Sequence, residues 1–379
     1  MDREAYPAAR TVAPKVEAYF ARHLAEARGR GRQQLTPVPD RETIEAVIDA
    51  AFWASLRREE GFVPKISLAL LSPEECLHPL VFERSLPLDP RALTRVAPAV
   101  ERPGIHLCVW RYENELRVWG TARSIPSLCL VLEVAAPGLL VVKHHSGEES
   151  EKFVNIAVLE GDQIKLVDQR ASTMPDCPVL IKSLLGFDPP SVWAHSVDIL
   201  LQLAVSMRAH GRGGSLLVVP ADTDAWRESI MQPLHYAVSP PFSELADLSR
   251  QLPNEPDIHV WQDNLHRAVS AIAGLTAVDG AVVLSDRYEL LGFGAKIARR
   301  KGCPQVEQLT LTEPIEGAEA AVVHPDRLGG TRHLSAAQFV HDQRDAIALV
   351  ASQDARFTIF AWSPCESMVH AHRVEALLM

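Results

Sequence analysis

The chain opens with a clear helical pattern. In the stretch PDRETIEAVIDAAFWASLRREEG, apolar residues such as Ile44, Val47 and Ile48 recur every three to four positions. This period places them on one face of an amphipathic helix. Asp40 stands before the first of them as a helix N-cap, and Gly61 follows as a stop signal. The pattern predicts a helix between these two residues.

From about residue 63 to 170 the pattern changes to short apolar runs, such as GIHLCVW and LCLVLEVA, divided by Gly, Pro and charged turns. Runs of this kind are typical of β-strands, and we expect an antiparallel sheet. The proline-rich stretch at 172–191 is the expected domain boundary. The sequence therefore predicts a strand-rich α+β domain at 1–190 and a second domain at 191–379.

Helical and strand patterns alternate in the second domain, which favours an α/β fold with a mixed central sheet flanked by helices. The strand GGSLLVVP is followed by material that we interpret as helical to about residue 275. DGAVVLSD and RYELLGFGAKI predict a hairpin, and LGGTRHLSAAQFVHDQRD predicts a loop and a helix. ENELRVWGTARSI in the first half echoes DRYELLGFGAKIA in the second. We interpret the echo as a shared hairpin pattern; the alternative is a duplication.

Composition restricts the function classes. The 379 residues carry a formal net charge of −10, and phosphate-backbone binding needs clustered Lys and Arg, so a nucleic-acid polymer is not expected as a partner. The sequence lacks the apolar run of roughly 18 residues that a membrane span needs. The first residues, MDREAYPAAR, do not resemble a signal peptide. We therefore expect a cytoplasmic protein without a membrane partner.

A group of hydrogen-bond donors stands before the last predicted helix. Gly329 and Gly330 allow a ligand to approach the backbone closely, and Thr331, Arg332 and His333 begin the helix. Helix N-termini bind anions through their N–H groups and dipole, and an arginine adds a charge-assisted contact. The group therefore predicts a phosphate site. The alternative is a glycine turn before a helix whose first turn happens to read Arg-His.

An acidic residue opens a strand of the same domain. Asp279 is followed by Gly280 and Ala281, small residues that permit close approach. A carboxylate in this place suits a hard divalent cation, which takes oxygen ligands and often bridges to phosphates. The alternative is an ordinary β-turn aspartate.

Four motifs in this order resemble the diadenylate cyclase (DAC) domain family, over roughly residues 192–362. They are a glycine-led apolar strand, a D-G-A strand start, a G-T-R-H helix start and an apolar strand that ends in Ser-Gln, at 213–220, 279–284, 330–336 and 348–354. The resemblance implies that Asp279 holds Mg²⁺ or Mn²⁺ for catalysis. It also implies that Gly330, Thr331, Arg332 and His333 hold ATP phosphates. Arg332 and His333 are catalytic candidates together with Asp279, because an arginine can contact a phosphoryl group through two donors and His333 could stabilise the transition state.

The resemblance further implies that Ser352 faces the nucleotide and that Gly280 and Ala281 line its site. One departure concerns Leu334, which stands where the family has a second arginine. Losing such a contact costs about 1.5–3 kcal/mol. The sequence therefore favours a nucleotide sensor that resembles the probable-sensor branch termed DACNV, with weak or no catalysis.

Two alternatives to the sensor remain. The first is an active diadenylate cyclase, which would make cyclic di-AMP from two ATP across a homodimer, as the family does. The second is a structural or interaction protein that keeps only the fold. If the protein is a sensor or a cyclase, ATP or a cyclic dinucleotide is the expected small-molecule partner.

Overall fold

The chain divides into two compact units. The computed structural model describes residues 5–29, 36–102, 104–147, 150–168, 191–251, 258–353 and 356–379. The first unit comprises residues 1–167 with Met379, and the second comprises residues 168–378. Most of the boundary region that the sequence predicts, 172–190, lies outside the described residues.

The first unit begins with helices and continues as a sheet. Its helices are α1 (Pro7–Gly29), α2 (Arg41–Ser55) and α3 (Pro90–Val96). Its strands are β1 (Ile66–Leu70), β2 (Leu80–Pro87), β3 (His106–Tyr112), β4 (Glu115–Ala122), β5 (Leu130–Ala136), β6 (Leu139–Gly147), β7 (Ser150–Glu160) and β8 (Gln163–Leu166).

The prediction of α2 is confirmed at its start, where Asp40 Oδ1 accepts a hydrogen bond from Thr43 N at 2.8 Å. The predicted apolar face, including Ile44 and Ile48, is buried in a core with α1 and one face of the sheet. The helix ends at Ser55, earlier than the predicted stop at Gly61.

The eight strands form one sheet in the order β2-β4-β3-β1-β5-β6-β7-β8. The prediction of an antiparallel sheet is wrong for one pair, because β1 and β3 run parallel. The chain between them includes β2 and α3, and this long connection lets it re-enter the sheet from the same end.

The second unit alternates helices and strands. Its helices are α4 (Ser191–Ala209), α5 (Glu244–Arg250), α6 (Ile258–Leu275) and α7 (Thr331–Asp342). Its strands are β9 (Gly214–Val219), β10 (Tyr236–Phe242), β11 (Ala281–Ser285), β12 (Leu290–Ala295), β13 (Leu309–Thr312), β14 (Ala321–Val323), β15 (Ile347–Ala351), β16 (Phe357–Ser363) and β17 (Met368–Arg373).

These strands form a mixed sheet in the order β10-β12-β11-β9-β15-β16-β17-β13-β14. Helix α7 packs its apolar face, including Phe339 and Val340, onto this sheet. The predicted α/β class with a mixed central sheet flanked by helices is confirmed. The expectation of only helical material up to residue 275 is wrong for β10, an edge strand that is exposed along most of its length and carries two prolines. Such residues give little strand signal.

Seven strands follow the same order in both sheets. The order β2-β4-β3-β1-β5-β6-β7 of the first unit corresponds to β10-β12-β11-β9-β15-β16-β17 of the second. In each sheet the fourth strand in this order runs parallel to the hairpin strand beside it. Strand β1 pairs in this way with β3 of the β3–β4 hairpin, and β9 pairs with β11 of the β11–β12 hairpin. The fourth strand pairs antiparallel on its other side, with β5 or β15.

The same irregularity occurs at the edge of both sheets. Strand β2 pairs with Gly120 of β4, bulges, and pairs again at Val118. Strand β10 pairs with Gly292 of β12, bulges, and pairs again at Leu290. A chance hairpin pattern does not reproduce a seven-strand order together with this bulge. Duplication therefore explains the echo between the two halves better.

Among the described residues, no helix combines the length and the apolar character that crossing a membrane requires.

Candidate functional site

Four strand ends meet at one end of the second sheet. Ala281, the first residue of β11, pairs with Ser215 of β9 on one side and with Ala295 of β12 on the other. On the far side of β9, Gly214 pairs with Ala351, the last residue of β15. The residues that directly flank these strand ends are therefore neighbours in space.

The flanking residues include three of the positions that the sequence singles out. Asp279 and Gly280 precede β11, and Ser352 follows β15. Gly213 precedes β9, and Lys296 follows β12. The D-G-A and Ser-Gln motifs, which are far apart in the sequence, thus lie at the same end of the sheet.

Arg332 reaches this end from the start of α7. A β-carbon placed on Gly213 would lie 2.9 Å from Arg332 Nη1 and 3.2 Å from Ala351 O. The guanidinium therefore lies across the beginning of β9, where only a glycine leaves it this space. The helix itself starts after Gly330, whose carbonyl accepts from His333 N at 3.0 Å.

Asp279 forms an ion pair with Lys296, between Oδ2 and Nζ. The hydrogen bond from Lys296 and its positive charge hold the pKa of Asp279 below its ordinary value, and the charge of Arg332 acts in the same direction. The Asp279 side chain is 92% exposed and that of Lys296 is 46% exposed. Two cations therefore flank one accessible carboxylate.

Gly280 has a structural reason to be a glycine. Its φ is +115°, and a β-carbon there would lie 2.4 Å from Gly294 C. Gly294 is covered in turn by the ring of Tyr236, which stacks on Phe293 at a centroid distance of 4.7 Å. Gly280 thus allows the backbones that lead into β11 and along β12 to approach each other closely beside Asp279.

His333 and Arg332 have different environments although they are adjacent. His333 is 4% exposed, and its ring contacts Phe360 edge-on at a centroid distance of 6.1 Å. A β-carbon on Gly329 would lie 2.7 Å from His333 Nδ1. The imidazole is therefore packed in the core beneath the helix start, and its predicted contact with phosphate stays a prediction.

The remaining predicted residues lie at the surface or just below it. Gly330 and Thr331 are exposed at the start of α7, and Ser352 and Leu334 are half-buried. Ser352 N donates to Arg356 O at 2.9 Å. Ala281 is buried as the first residue of β11. Ser352 and Ala281 thus lie at the same sheet end as Asp279 and Lys296, and Gly330 and Thr331 lie beside Arg332 at the helix start.

The donors around Asp279 fit a divalent cation poorly. Mg²⁺ and Mn²⁺ prefer several oxygen ligands, whereas the Asp279 carboxylate is bonded to an ammonium group. In the part of the chain that the structure describes, no three His, Cys, Asp or Glu side chains are grouped as metal ligands. The metal role of Asp279 stays a prediction of the sequence.

The local charge favours an anion. Lys296 and Arg332 outnumber Asp279 at this end of the sheet, in a chain whose formal net charge is −10. A few local donors are sufficient to bind a small anion regardless of the global charge. The ammonium and guanidinium groups are donors of the kind that bind phosphate.

Sequence reasoning missed Lys296 and Gly213. Lys296 stands in the stretch GFGAKI, where the sequence indicated only a strand. The predicted hairpin contained the missing signal, since Lys296 follows the strand that pairs with the D-G-A strand. Gly213 begins the apolar strand motif, and its closeness to Arg332 depends on tertiary structure.

Comparison with known proteins gives one family match. Residues 33–123 are similar to the family described as "Probable sensor domain DACNV". This match covers less than half of the chain and lies in the first unit, outside the stretch 192–362 that carries the DAC motifs. No curated protein matches the chain by sequence.

Proposed function

We propose that the second unit is a nucleotide-binding module of a sensor protein and that it catalyses weakly or not at all. The observation that carries this proposal is the position of Arg332, whose Nη1 lies over Gly213 and whose charge acts on Asp279. A helix start and an arginine beside the ends of central strands form an anion site. The family match of residues 33–123 supports a sensor role and does not indicate a particular ligand.

Nucleotide, rather than free phosphate, is the proposed ligand because the D-G-A, T-R-H and Ser-Gln motifs converge at this sheet end. These are the motifs through which the second unit resembles the DAC family. An isolated anion site on a helix start would give no reason for that convergence. The choice of a nucleotide over free phosphate therefore rests on this convergence and not on any one motif.

Weak catalysis is part of the proposal for two reasons. Leu334 supplies no charge where the family has an arginine. His333 is packed in the core, so it is poorly placed to stabilise a transition state. The alternative of an active diadenylate cyclase is favoured by one observation, the assembly of Asp279 and Arg332 at the same sheet end.

Calorimetric titration of ATP, ADP, AMP and cyclic di-AMP against the full chain tests the proposal. We expect at least one of them to bind, and Arg332→Ala to weaken binding roughly 10- to 100-fold. Incubation with labelled ATP and either Mg²⁺ or Mn²⁺ separates the sensor from the active cyclase, because a cyclic dinucleotide product would establish a cyclase. If the protein binds none of the four nucleotides, it is better understood as a structural or interaction protein.

A further inference from the structure

Lys296 occupies the place beside Asp279 that the DAC resemblance gives to a metal ion. It directly follows β12, and the pairing of Ala295 with Ala281 sets it across from the start of β11. Its Nζ bonds Asp279 Oδ2. The sheet register, rather than a chance surface contact, therefore brings this ammonium to the carboxylate.

The charges of Lys296, Arg332 and Asp279 determine which kind of ion this place can hold. A divalent cation at Asp279 would meet the like charges of Lys296 and Arg332, whose fields both act on that carboxylate. Like charges disfavour each other, and the effect is largest where few acidic groups compensate. An anion at the same place meets two favourable charges and one unfavourable charge.

We propose that the Lys296 ammonium serves as the internal cation of the site, so that phosphate binds between Lys296 and Arg332 without a metal ion. This inference rests on the proposed function for the identity of the ligand as a nucleotide. Asp279 is then a positioning residue that orients Lys296. The ammonium has three donors, so one bonds Asp279 while the others remain for phosphate oxygens.

The exposure of the pair fits this role. The Lys296 side chain is 46% exposed, so a ligand can reach it from solvent. An exposed ion pair contributes little to stability, and the lysine can adjust to a ligand at small cost. Its chain position is nevertheless fixed, because Lys296 O accepts from Met231 N at 2.8 Å.

Titration of inorganic tripolyphosphate and of ATP into the full chain, with EDTA or with Mg²⁺, tests the inference. We expect both anions to bind in EDTA, with at most about a threefold gain from Mg²⁺, because the ammonium already supplies a charge-assisted contact. Lys296→Met should weaken both about tenfold or more in EDTA. Lys296→Arg should restore most of this loss. Lys301→Met, which removes an exposed lysine in the same unit, should change affinity less than about twofold.

Asp279→Asn gives the sharpest contrast. If Asp279 binds a metal ion, this substitution removes the Mg²⁺-dependent part of the affinity for the anion. If Asp279 positions Lys296 instead, its negative charge also repels a bound anion, and the substitution removes that repulsion. We expect Asp279→Asn to bind tripolyphosphate in EDTA more tightly than the parent, because the loss of this repulsion outweighs the looser placement of Lys296. Binding that requires Mg²⁺ in the parent, or affinity unchanged in Lys296→Met, would overturn the internal-cation role.

The two anions separate this inference from the proposed function. If ATP binds no more tightly than tripolyphosphate while Lys296→Met weakens both, the nucleotide assignment is wrong and the role of Lys296 as internal cation is supported. If tripolyphosphate does not bind in EDTA, that role of Lys296 is wrong, whether or not ATP binds in the presence of Mg²⁺. Thermal denaturation of each variant shows whether the fold is kept, and we expect it to be, since the substituted side chains are exposed.

Discussion

The two units share one strand order and differ at one end of the sheet. In the first unit, residues 123–129 alone connect β4 to the next strand. In the second unit, residues 296–346 connect the corresponding strands and contain α7 with Arg332. The candidate site of the second unit therefore depends on the residues that the connections place at the end of the sheet, and not on the strand order that both units share.

Both units place neutral polar pairs on the sheet: Ser67 Oγ lies 2.7 Å from His106 Nδ1 in the first, and Thr312 Oγ1 lies 2.7 Å from His372 Nδ1 in the second. The ion pairs of Lys143 and Lys296 differ in their contact with solvent. In the first unit Lys143, which bonds Glu133, is largely buried. In the second unit Asp279 and Lys296 pair in contact with solvent. Buried polar side chains chiefly satisfy each other's hydrogen-bonding groups within the fold. Accessible charges that converge remain available to a ligand.

The largest expected effect comes from the edge bulge that both units share. A β-carbon on Gly120 would lie 2.2 Å from Leu80 O, a backbone atom, whereas the nearest atom to one on Gly292 is Leu234 Cδ2 at 2.6 Å. Overpacking costs about 1–3 kcal/mol, so Gly120→Ala should lower the free energy of unfolding by about 3 kcal/mol and Gly292→Ala by about 1 kcal/mol. Urea denaturation followed by tryptophan fluorescence measures both.

Gly29→Ala is the control for these two changes, because a β-carbon there meets nothing within 4 Å. It should leave the free energy of unfolding unchanged to within about 0.5 kcal/mol. Equal losses in Gly120→Ala and Gly292→Ala would show that the two bulges are packed alike, contrary to the contact distances.

A second pair of variants compares the ion pairs of Lys143 and Lys296. The Lys143 side chain is 10% exposed and its Nζ lies 4.7 Å from the centre of the Phe153 ring. Removing one partner of a buried pair is costly, although Glu133 is partly solvated, so Lys143→Met should destabilise the protein by about 2 kcal/mol. Lys296→Met should change stability by less than about 0.5 kcal/mol. A comparable loss in both, measured by urea denaturation, would contradict the contrast between buried and exposed charges.

Acid should act on the first unit through His106. Burial lowers its pKa to about 4, helped by the charges of Lys143 and His145 and opposed by Glu133. His106 takes up a proton near pH 6.5 in the unfolded chain but not in the folded chain. Its contribution to the free energy of unfolding is therefore constant above about pH 6.5 and falls as the pH drops toward 4.

Between pH 8 and pH 5.5 this single group should cost about 1.5 kcal/mol. His106→Asn cannot titrate, and it keeps a side-chain group that can bond Ser67. Its stability should therefore fall less over the same range, by about that amount, in urea titrations at each pH. An identical pH dependence in parent and variant would show that His106 is not the responsible group.

Local signals made several elements predictable from sequence. The N-cap Asp40 and the apolar face of α2 are encoded within one stretch of chain, and so is the start of α7 after Gly330. The strands of the D-G-A hairpin follow the same rule, because apolar runs and a polar turn specify them. For such elements the residues that determine the structure are close together in sequence.

Other features depend on contacts that no local pattern encodes. The parallel pairing of β1 with β3 requires knowledge of how the intervening chain crosses. The sequence suggested Asp279 and Arg332 as site residues, but it did not show that Lys296 is the partner of Asp279. It also did not distinguish the buried His333 from its exposed neighbour, since both stand in the first turn of one helix.

The most direct test of the central claim is a calorimetric titration of ATP into the full chain, with two arginine variants compared. Arg332 belongs to the candidate site, whereas Arg123 follows β4 of the first unit as Lys296 follows β12. We predict one ATP per chain in the parent, affinity weakened about tenfold or more in Arg332→Ala, and affinity unchanged in Arg123→Ala. Equal ATP affinity in the parent and Arg332→Ala, or two ATP per chain with one lost in Arg123→Ala, would contradict it.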